Sequence, residues 1–252
     1  MKINYYAISD IGKKYKHNED FYTLPEMDKN TLNLDSHRLF VLCDGVGGAN
    51  AGEVAGKLCS EWLQRDFNNL SLNDRQKNIS ITVSNLIKDI SKKINKLSKD
   101  YAEYKNMMTT IVSALFYQEK LYLHSIGDSR CYLLRNNKFE QLTDDDSQIW
   151  DLYKSGEISK DDLRTHPRKN IITNAVGADD EFSIHIYEKE ILVNDLFLMC
   201  SDGLSDMISD EDIFQFINSE QDLKQSALKL VNKANEAGGK DNITLILIKV
   251  KE

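Results

Sequence analysis

Val41-Leu42-Cys43-Asp44-Gly45-Val46-Gly47-Gly48 sets an acidic residue between an apolar run and a glycine-rich one. Arg38 to Cys43 reads as a strand, apolar nearly throughout and therefore buried on both faces. A glycine-rich turn follows it. Three more loop-like aspartates stand far away in sequence: Asp20 in Asn18-Glu19-Asp20, Asp202 in Ser201-Asp202-Gly203 and Asp241 in Lys240-Asp241-Asn242. All four adjoin short apolar runs that read as strands, and strand ends are where a rigid scaffold presents chemistry. Carboxylates gathered in one cleft raise each other's pKa unless a cation neutralises them. The pattern points to a site for hard divalent ions, built from oxygen ligands alone. Taken singly, Asp44-Gly45 and Asp202-Gly203 are also ordinary turn formers, and Asp241 an ordinary loop residue.

Outward from this stretch, Tyr5 to Ser9 reads as a first strand and Gly12 to Asp20 as a polar loop. A helix from about Gly52 to Phe67 carries Val54, Leu58 and Trp62 on one face. A second, from about Asp74 to Leu97, has an apolar stripe at Ile79, Val83, Leu86, Ile87, Ile90, Ile94 and Leu97, with lysines opposite. It covers a core on one side and lacks the aromatic anchor of a membrane-surface helix. Thr109 to Tyr117, Lys120 to Ser125 and Arg130 to Arg135 read as strands joined by short links, which implies antiparallel hairpins. Phe182 to Tyr187 and Asp195 to Cys200 are further strands. Helices follow at about Asp210 to Asn218 and Asp222 to Asn235, then a last strand at Asn242 to Val250. The order lacks the βαβ alternation of a parallel sheet, and no linker or repeat divides residues 1–252, so a single domain is expected. Thr143 to Gly177, polar and mixed, is too long for a plain connection and reads as a lid or small subdomain.

The 252 residues are 41% hydrophobic, enough for a full core, and carry a formal charge of −8, which argues against nucleic acid as a partner. Cys43, Cys59, Cys131 and Cys200 form no C-x-x-C pair and read as small buried hydrophobes in a reducing compartment. Met1 to Ile8 holds no apolar signal-peptide core, and no stretch approaches the ~18 apolar residues of a membrane span. A soluble, cytoplasmic protein is expected, with secretion as an effector the alternative placement.

Read in order, the motifs resemble those of the metal-dependent protein phosphatases, the protein phosphatase 2C-like family, in its bacterial form. Gly12 with Asn18-Glu19-Asp20 looks like the first motif, and Asp44-Gly45-Val46-Gly47-Gly48 like the second. Thr109-Thr110 looks like its M-G-T-T segment and Gly127-Asp128-Ser129-Arg130 like its G-D-S-R turn. His166-Pro167 through Gly177 resembles the flap, and Cys200 to Asp206 and Gly239 to Asn242 match the last two motifs. The resemblance implies an α+β fold: a four-layer α-β-β-α sandwich of two antiparallel sheets flanked by helix pairs, with a flap subdomain at about 143–178.

It also implies hydrolysis of phosphoserine or phosphothreonine in proteins with Mn2+ or Mg2+, two ions and in bacterial relatives a third. By similarity, Asp44 bridges two ions, Asp20 serves one through its waters, and Asp202 and Asp241 hold the other, with the Gly45 carbonyl as a further ligand. Glycine suits that position because a side chain would crowd the ion. Ions ~3.5–4 Å apart lower the pKa of a bridging water and place it for in-line attack. Asp128 is the match for the aspartate that holds the third ion with the counterpart of Asp202; the alternative is an aspartate orienting Arg130. Glu19 supports the site, and His166 orders the flap. Asp144-Asp145-Asp146 reads as a solvated loop or a helix start rather than a ligand cluster, and the remaining histidines share no ligand spacing.

Three positions depart from the family. Tyr15 stands where an arginine usually grips substrate phosphate, and a tyrosine cannot form a bidentate charged clamp. Lys14 and Lys16 (or Lys13) then become the phosphate-binding cations beside Tyr15. Val46 replaces the proposed general-acid histidine of eukaryotic members, and Met108 replaces the glycine of M-G-T-T. An active phosphatase for substrates of a serine/threonine kinase, monomeric by family default, is the leading expectation. A pseudophosphatase that binds phosphoproteins is the alternative, and a nuclease or phosphodiesterase is disfavoured by the acidic charge.

Overall fold

β4 (Arg38–Val46) is buried at every residue from Arg38 to Cys43, as its apolar run predicts, and it organises the layers around it. Phe40 and Leu42 face a second sheet, while Leu39, Val41 and Cys43 face helices. The computed structural model describes residues 1–25, 32–33, 36–46, 51–71, 74, 78–178, 182–219 and 222–252. The expected glycine turn at Gly47-Gly48 lies outside the described residues.

β4 belongs to a sheet with β2 (Asp20–Thr23), β6 (Ile111–Tyr117), β7 (Lys120–Ile126) and β10 (His185–Glu190), in the order β10-β7-β6-β4-β2, and β5 (Met108–Thr109) pairs with the far end of β4. The other sheet runs β3-β1-β12-β11-β8-β9, from β1 (Lys2–Asp10), β3 (Leu32–Asn33), β8 (Arg130–Arg135), β9 (Lys138–Gln141), β11 (Leu196–Cys200) and β12 (Ile243–Lys251). Every pairing is antiparallel. Phe40, Phe116 and Phe197 meet edge to face between the sheets, with ring centroids 5.7 and 5.3 Å apart.

α1 (Ala51–Asn68) and α2 (Ile79–Asp100) cover the first sheet, and α4 (Asp202–Ser205), α5 (Asp210–Ser219) and α6 (Leu223–Glu236) cover the second. The result is the expected four-layer α-β-β-α sandwich. Residues 143–178 form a pad with α3 (Gln148–Lys154), a 3-10 turn at Lys160–Arg164 and a small cluster of Ile149, Trp150 and Leu163, while Val176 near its end packs into the core under α1 and α2. Ion pairs Lys160–Asp210 (2.8 Å) and Lys169–Asp206, and the bond from Arg164 to the Met207 carbonyl (3.1 Å), fasten this pad near α4 and α5. Among the described residues no helix is long and apolar enough to cross a membrane.

The expectations change in three places, and a fourth lies outside the described residues. The buried face of α1 is Ala55, Cys59, Leu63 and Phe67, one residue on from Val54, Leu58 and Trp62. The first turns of the helix lie so close to the end of β4 that only small residues fit there: a Cβ on Gly45 would stand 2.1 Å from the Gly52 carbonyl oxygen. The described part of α2 begins at Ile79, and the expected start near Asp74 runs through residues 75–77, outside the described residues. β7 and β8 are not a hairpin, because the Gly127 turn carries the chain from one sheet to the other. β2, β3 and β9 are short strands that periodicity did not reveal. Their brevity leaves too few alternations to read.

Phe116 is fully buried between Phe40 and Phe197. Phe116→Ala is expected to lower unfolding free energy by about 3–5 kcal/mol, measured by urea denaturation. A loss under ~1 kcal/mol would show that the two sheets do not depend on this contact.

Candidate active site

Asp44 and Gly45 sit inside β4 rather than in the turn after it. Asp44 is in register with Asp20 of β2, and Gly45 with Thr109 of β5. The backbone of Asp44 is fixed on both sides: its amide donates to Thr110 Oγ1 (3.0 Å), and its carbonyl accepts from the Thr110 amide and from Thr109 Oγ1 (both 2.8 Å). The approach of Gly52, whose carbonyl oxygen would stand 2.1 Å from a Cβ at residue 45, requires glycine there.

A cavity of about 500 Å3 opens here, and Asp44, Gly45, Asp128, Asp202, Asp241 and Glu19 all line it. Asp20 lies just behind, 5% exposed, with Oδ2 accepting from Ser201 Oγ at 2.7 Å. Ser201 Oγ in turn accepts from the Thr244 amide (3.0 Å). Asp202 opens α4, directly after β11, and Asp241 precedes β12 with its carboxylate on the Asn242 amide (2.9 Å). Residues far apart in sequence thus reach one cavity from the ends of strands in both sheets.

Asp44 is held well above the usual carboxylate range, first by burial and then by Asp20, Asp202, Asp128 and Asp241. Asp202 is raised in the same way, by burial and then by Asp128, Asp206, Asp241 and Asp20. Burial is also the main cause for Asp20 and Asp128, each pushed up to about 7, and for the upward shifts of Asp241 and Glu19. Asp20 Oδ1 and Asp202 Oδ1 are buried with no hydrogen-bond partner among the described residues. Such orphaned acceptors are what a cation would satisfy. No three Asp, Glu, His or Cys side chains among the described residues close on a single point as a protein-only cage would. Carboxylates spread along a wall instead suit ions that keep several waters, and the all-oxygen donor set fits Mg2+ or Mn2+.

Tyr15, Lys16, His17 and Val46 also line the cavity, as do Asn170 and Ile172 of the 143–178 pad. Lys14 does not; its ammonium donates to Tyr15 Oη at 2.9 Å. Met108 pairs with Val46 but lines a different cavity, of about 460 Å3. His166 Nδ1 accepts from the Arg168 amide (3.2 Å) within the pad. Asp145 is buried and bound to Arg130 (2.6 Å), so the solvated-loop reading of Asp144-Asp145-Asp146 fails there, and Arg130 takes Asp145 rather than Asp128 as its partner. Sequence reasoning missed the hydroxyls of Thr110 and Ser201, His17, and the side chain of Asn242. Thr110, Ser201 and Asn242 lay within the quoted motifs, but nothing in residue type separates a supporting hydroxyl from a surface one.

The protein-family model described as protein phosphatase 2C matches residues 6–148. The serine/threonine phosphatase stp of Listeria monocytogenes is 32% identical over 95% of this chain and 93% of its own. The Streptococcus agalactiae serine/threonine phosphatase superposes with a TM-score of 0.89 at 29% identity, covering 99% of this chain and all of its own. The catalytic domain of the phosphatase PstP, solved with two manganese ions, superposes with a TM-score of 0.85 at 29% identity over 100% of this chain and 99% of its own.

The raised carboxylates set a pH dependence. Asp20 and Asp128 bind protons more tightly folded, at about 7, than unfolded, near 3.8. Their protonated forms favour folding fully below about pH 4, and that contribution is lost as pH rises through 7. In chelator, the melting temperature is expected to fall between pH 5.5 and 8, and Mn2+ to restore it more at pH 8 than at pH 5.5. A metal-free melting temperature that climbs with pH over this range would contradict the burial of these carboxylates.

Proposed function

The chain belongs to the protein phosphatase 2C family and is a protein-serine/threonine phosphatase, and from this membership we propose that it hydrolyses phosphoserine and phosphothreonine with two Mn2+ or Mg2+ ions held at the Asp44 cavity. The observation that carries the reading is Asp44 itself, which shares its cavity with Asp128, Asp202 and Asp241 and has Asp20 beside it. Asp44 would bridge the two ions, with Asp20 serving one, Asp202 and Asp241 the other, and the Gly45 carbonyl as a further ligand. Asp128 and Asp202 would hold a third. Bound there, divalent ions neutralise charge on the phosphoryl group and lower the pKa of the attacking water.

The chain's own residues supply the rest. Because Lys14 donates to Tyr15 Oη, the hydroxyl proton of Tyr15 is turned away from the ammonium and is available to a phosphoryl oxygen. Lys16 adds a point charge on the same wall. Val46 and Ile172 are apolar walls that limit water and strengthen the electrostatics inside. Val46 has no proton to give, so no side chain at that position protonates the leaving group. We further propose that residues 1–252 act as one catalytic domain with 143–178 as its flap, that the enzyme is a cytoplasmic monomer, and that its substrates are the products of a serine/threonine kinase. No observation favours a catalytically silent phosphoprotein binder.

Phosphothreonine and phosphotyrosine peptides assayed side by side should show Mn2+- or Mg2+-dependent turnover of the first, abolished by chelator. Asp44→Asn is expected to cut kcat by roughly 1000-fold or more. Absence of turnover with either metal would sink the proposal. Tyr15→Arg should lower KM for the phosphothreonine peptide by about tenfold, since a charged bidentate donor replaces one neutral hydrogen bond. An unchanged KM would remove residue 15 from the phosphate site.

A further inference from the structure

Asp146 stands at the head of the 143–178 pad, outside the carboxylate set assigned above, yet it grips the turn that carries Asp128. Its Oδ2 accepts from the Gly127 amide at 2.9 Å, and its own amide donates to the Gly127 carbonyl, also at 2.9 Å. Both polar groups of Gly127 are therefore held by one residue, and the second of them belongs to the peptide bond leading into Asp128. Asp146 is itself held from three directions. His185 Nε2 meets its Oδ1 at 2.7 Å, Asn174 Nδ2 donates to its Oδ2 at 2.9 Å, and the Thr173 amide donates to its carbonyl at 2.8 Å. Asn174 is braced in turn on the Ser183 carbonyl at 2.8 Å.

The turn cannot give way on its other side. Gly127 has φ of +94°, and a Cβ there would stand 2.6 Å from Thr110 Cγ2. Thr110 is the residue whose hydroxyl takes the Asp44 amide and meets Ser129 Oγ at 2.8 Å. Gly127 is thus wedged between Asp146 and Thr110, and the same Thr110 fixes Asp44. The three consecutive aspartates divide their roles: Asp144 reaches exposed Lys154 (3.1 Å), Asp145 neutralises Arg130, and only Asp146 faces the turn.

We propose that Asp146, oriented by His185, is a positioning residue that sets the Asp128 carboxylate against Asp44 and Asp202. The inference rests on the reading of Asp128 as an ion-holding residue. It makes Asp146 necessary for the placement of Asp128 without contact to substrate or ion.

Calorimetric titration of Mn2+ into wild type, Asp146→Ala and Asp146→Asn, beside kinetics on p-nitrophenyl phosphate, tests it. In Asp146→Ala the weakest Mn2+-binding event should weaken by about tenfold or more, with kcat falling and KM changing less than about twofold. Asp146→Asn, whose amide oxygen still accepts from Gly127, should recover most of the loss. Wild-type titration and kcat in Asp146→Ala would overturn the proposal, as would an Asp146→Asn variant as impaired as alanine. If Asp146→Ala does not fold, His185→Ala is read by the same titration with the same two outcomes. A wild type that binds no Mn2+ would take down the metal reading, and this inference with it. Normal wild-type binding with unaltered variants overturns the inference alone.

Discussion

Burial of Asp44, with the repulsion of its neighbours Asp20, Asp202, Asp128 and Asp241 added to it, is the condition the rest of the structure has to meet. Two of these side chains come from β4 and β2 of one sheet, and two from the ends of β11 and β12 in the other. Only the stacking of the sheets brings them together. The interlocked phenylalanines between the sheets therefore do more than stabilise the chain. They hold a set of like charges at a spacing the side chains would not choose, and they bury Asp20 and Asp128, whose carboxyls that burial chiefly pushes up to about 7.

The groups that hold these carboxylates are almost all neutral. Ser201 binds Asp20, Thr110 binds the Asp44 backbone, and Asn242 ties Glu19 in place through its amide (2.8 Å). A hydroxyl or amide orients an acidic residue while leaving its negative charge available. Asp145, a short way off, shows the opposite arrangement: Arg130 holds it through both guanidinium edge nitrogens, at 2.9 and 2.6 Å. A carboxylate so paired has no charge left for a cation. The distinction between Asp145 and Asp44 is therefore one of partners rather than of residue type, and it separates a structural carboxylate from one poised for an ion.

That distinction also explains what could be read in advance. β4 was legible because six consecutive buried residues leave an apolar run that no surface strand has. The stripe of α2 was legible for the same reason. The face of α1 was misread by one residue because hydropathy favours Val54, Leu58 and Trp62, whereas close approach to Gly45 puts Gly52 and Gly56 on the buried side at the start of the helix. Asp20, Asp44, Asp202 and Asp241 stood out because each sits within two residues of glycine, asparagine or serine at a strand end. Asp146 did not, because an acidic triplet looks the same whether solvent or a buried turn receives it. Its partner His185 lies 39 residues away, on a strand of the other side of the pad.

The loop from Ile11 to Glu19 shows why the cavity wall at Tyr15 can differ from the family pattern while the floor does not. Its path is set by backbone anchors. Asn242 Nδ2 donates to the carbonyls of Ile11 (2.9 Å) and His17 (3.1 Å), and Asp10 Oδ1 accepts from the Gly12 amide (2.8 Å). The Lys13 amide closes on the Gly239 carbonyl at 2.7 Å. None of these bonds uses the side chain of residue 15, which is 46% exposed at the cavity mouth. A tyrosine there in place of an arginine alters the side chain at the cavity mouth and leaves the loop where it was. Asp44 has no such freedom, because it pairs with Asp20 of β2 on one side and its peptide is held by Thr110 and Thr109 on the other. Divergence in this site is therefore expected to collect on the wall, in side chains carried by a fixed loop, while the carboxylates of the floor stay in register with the sheets.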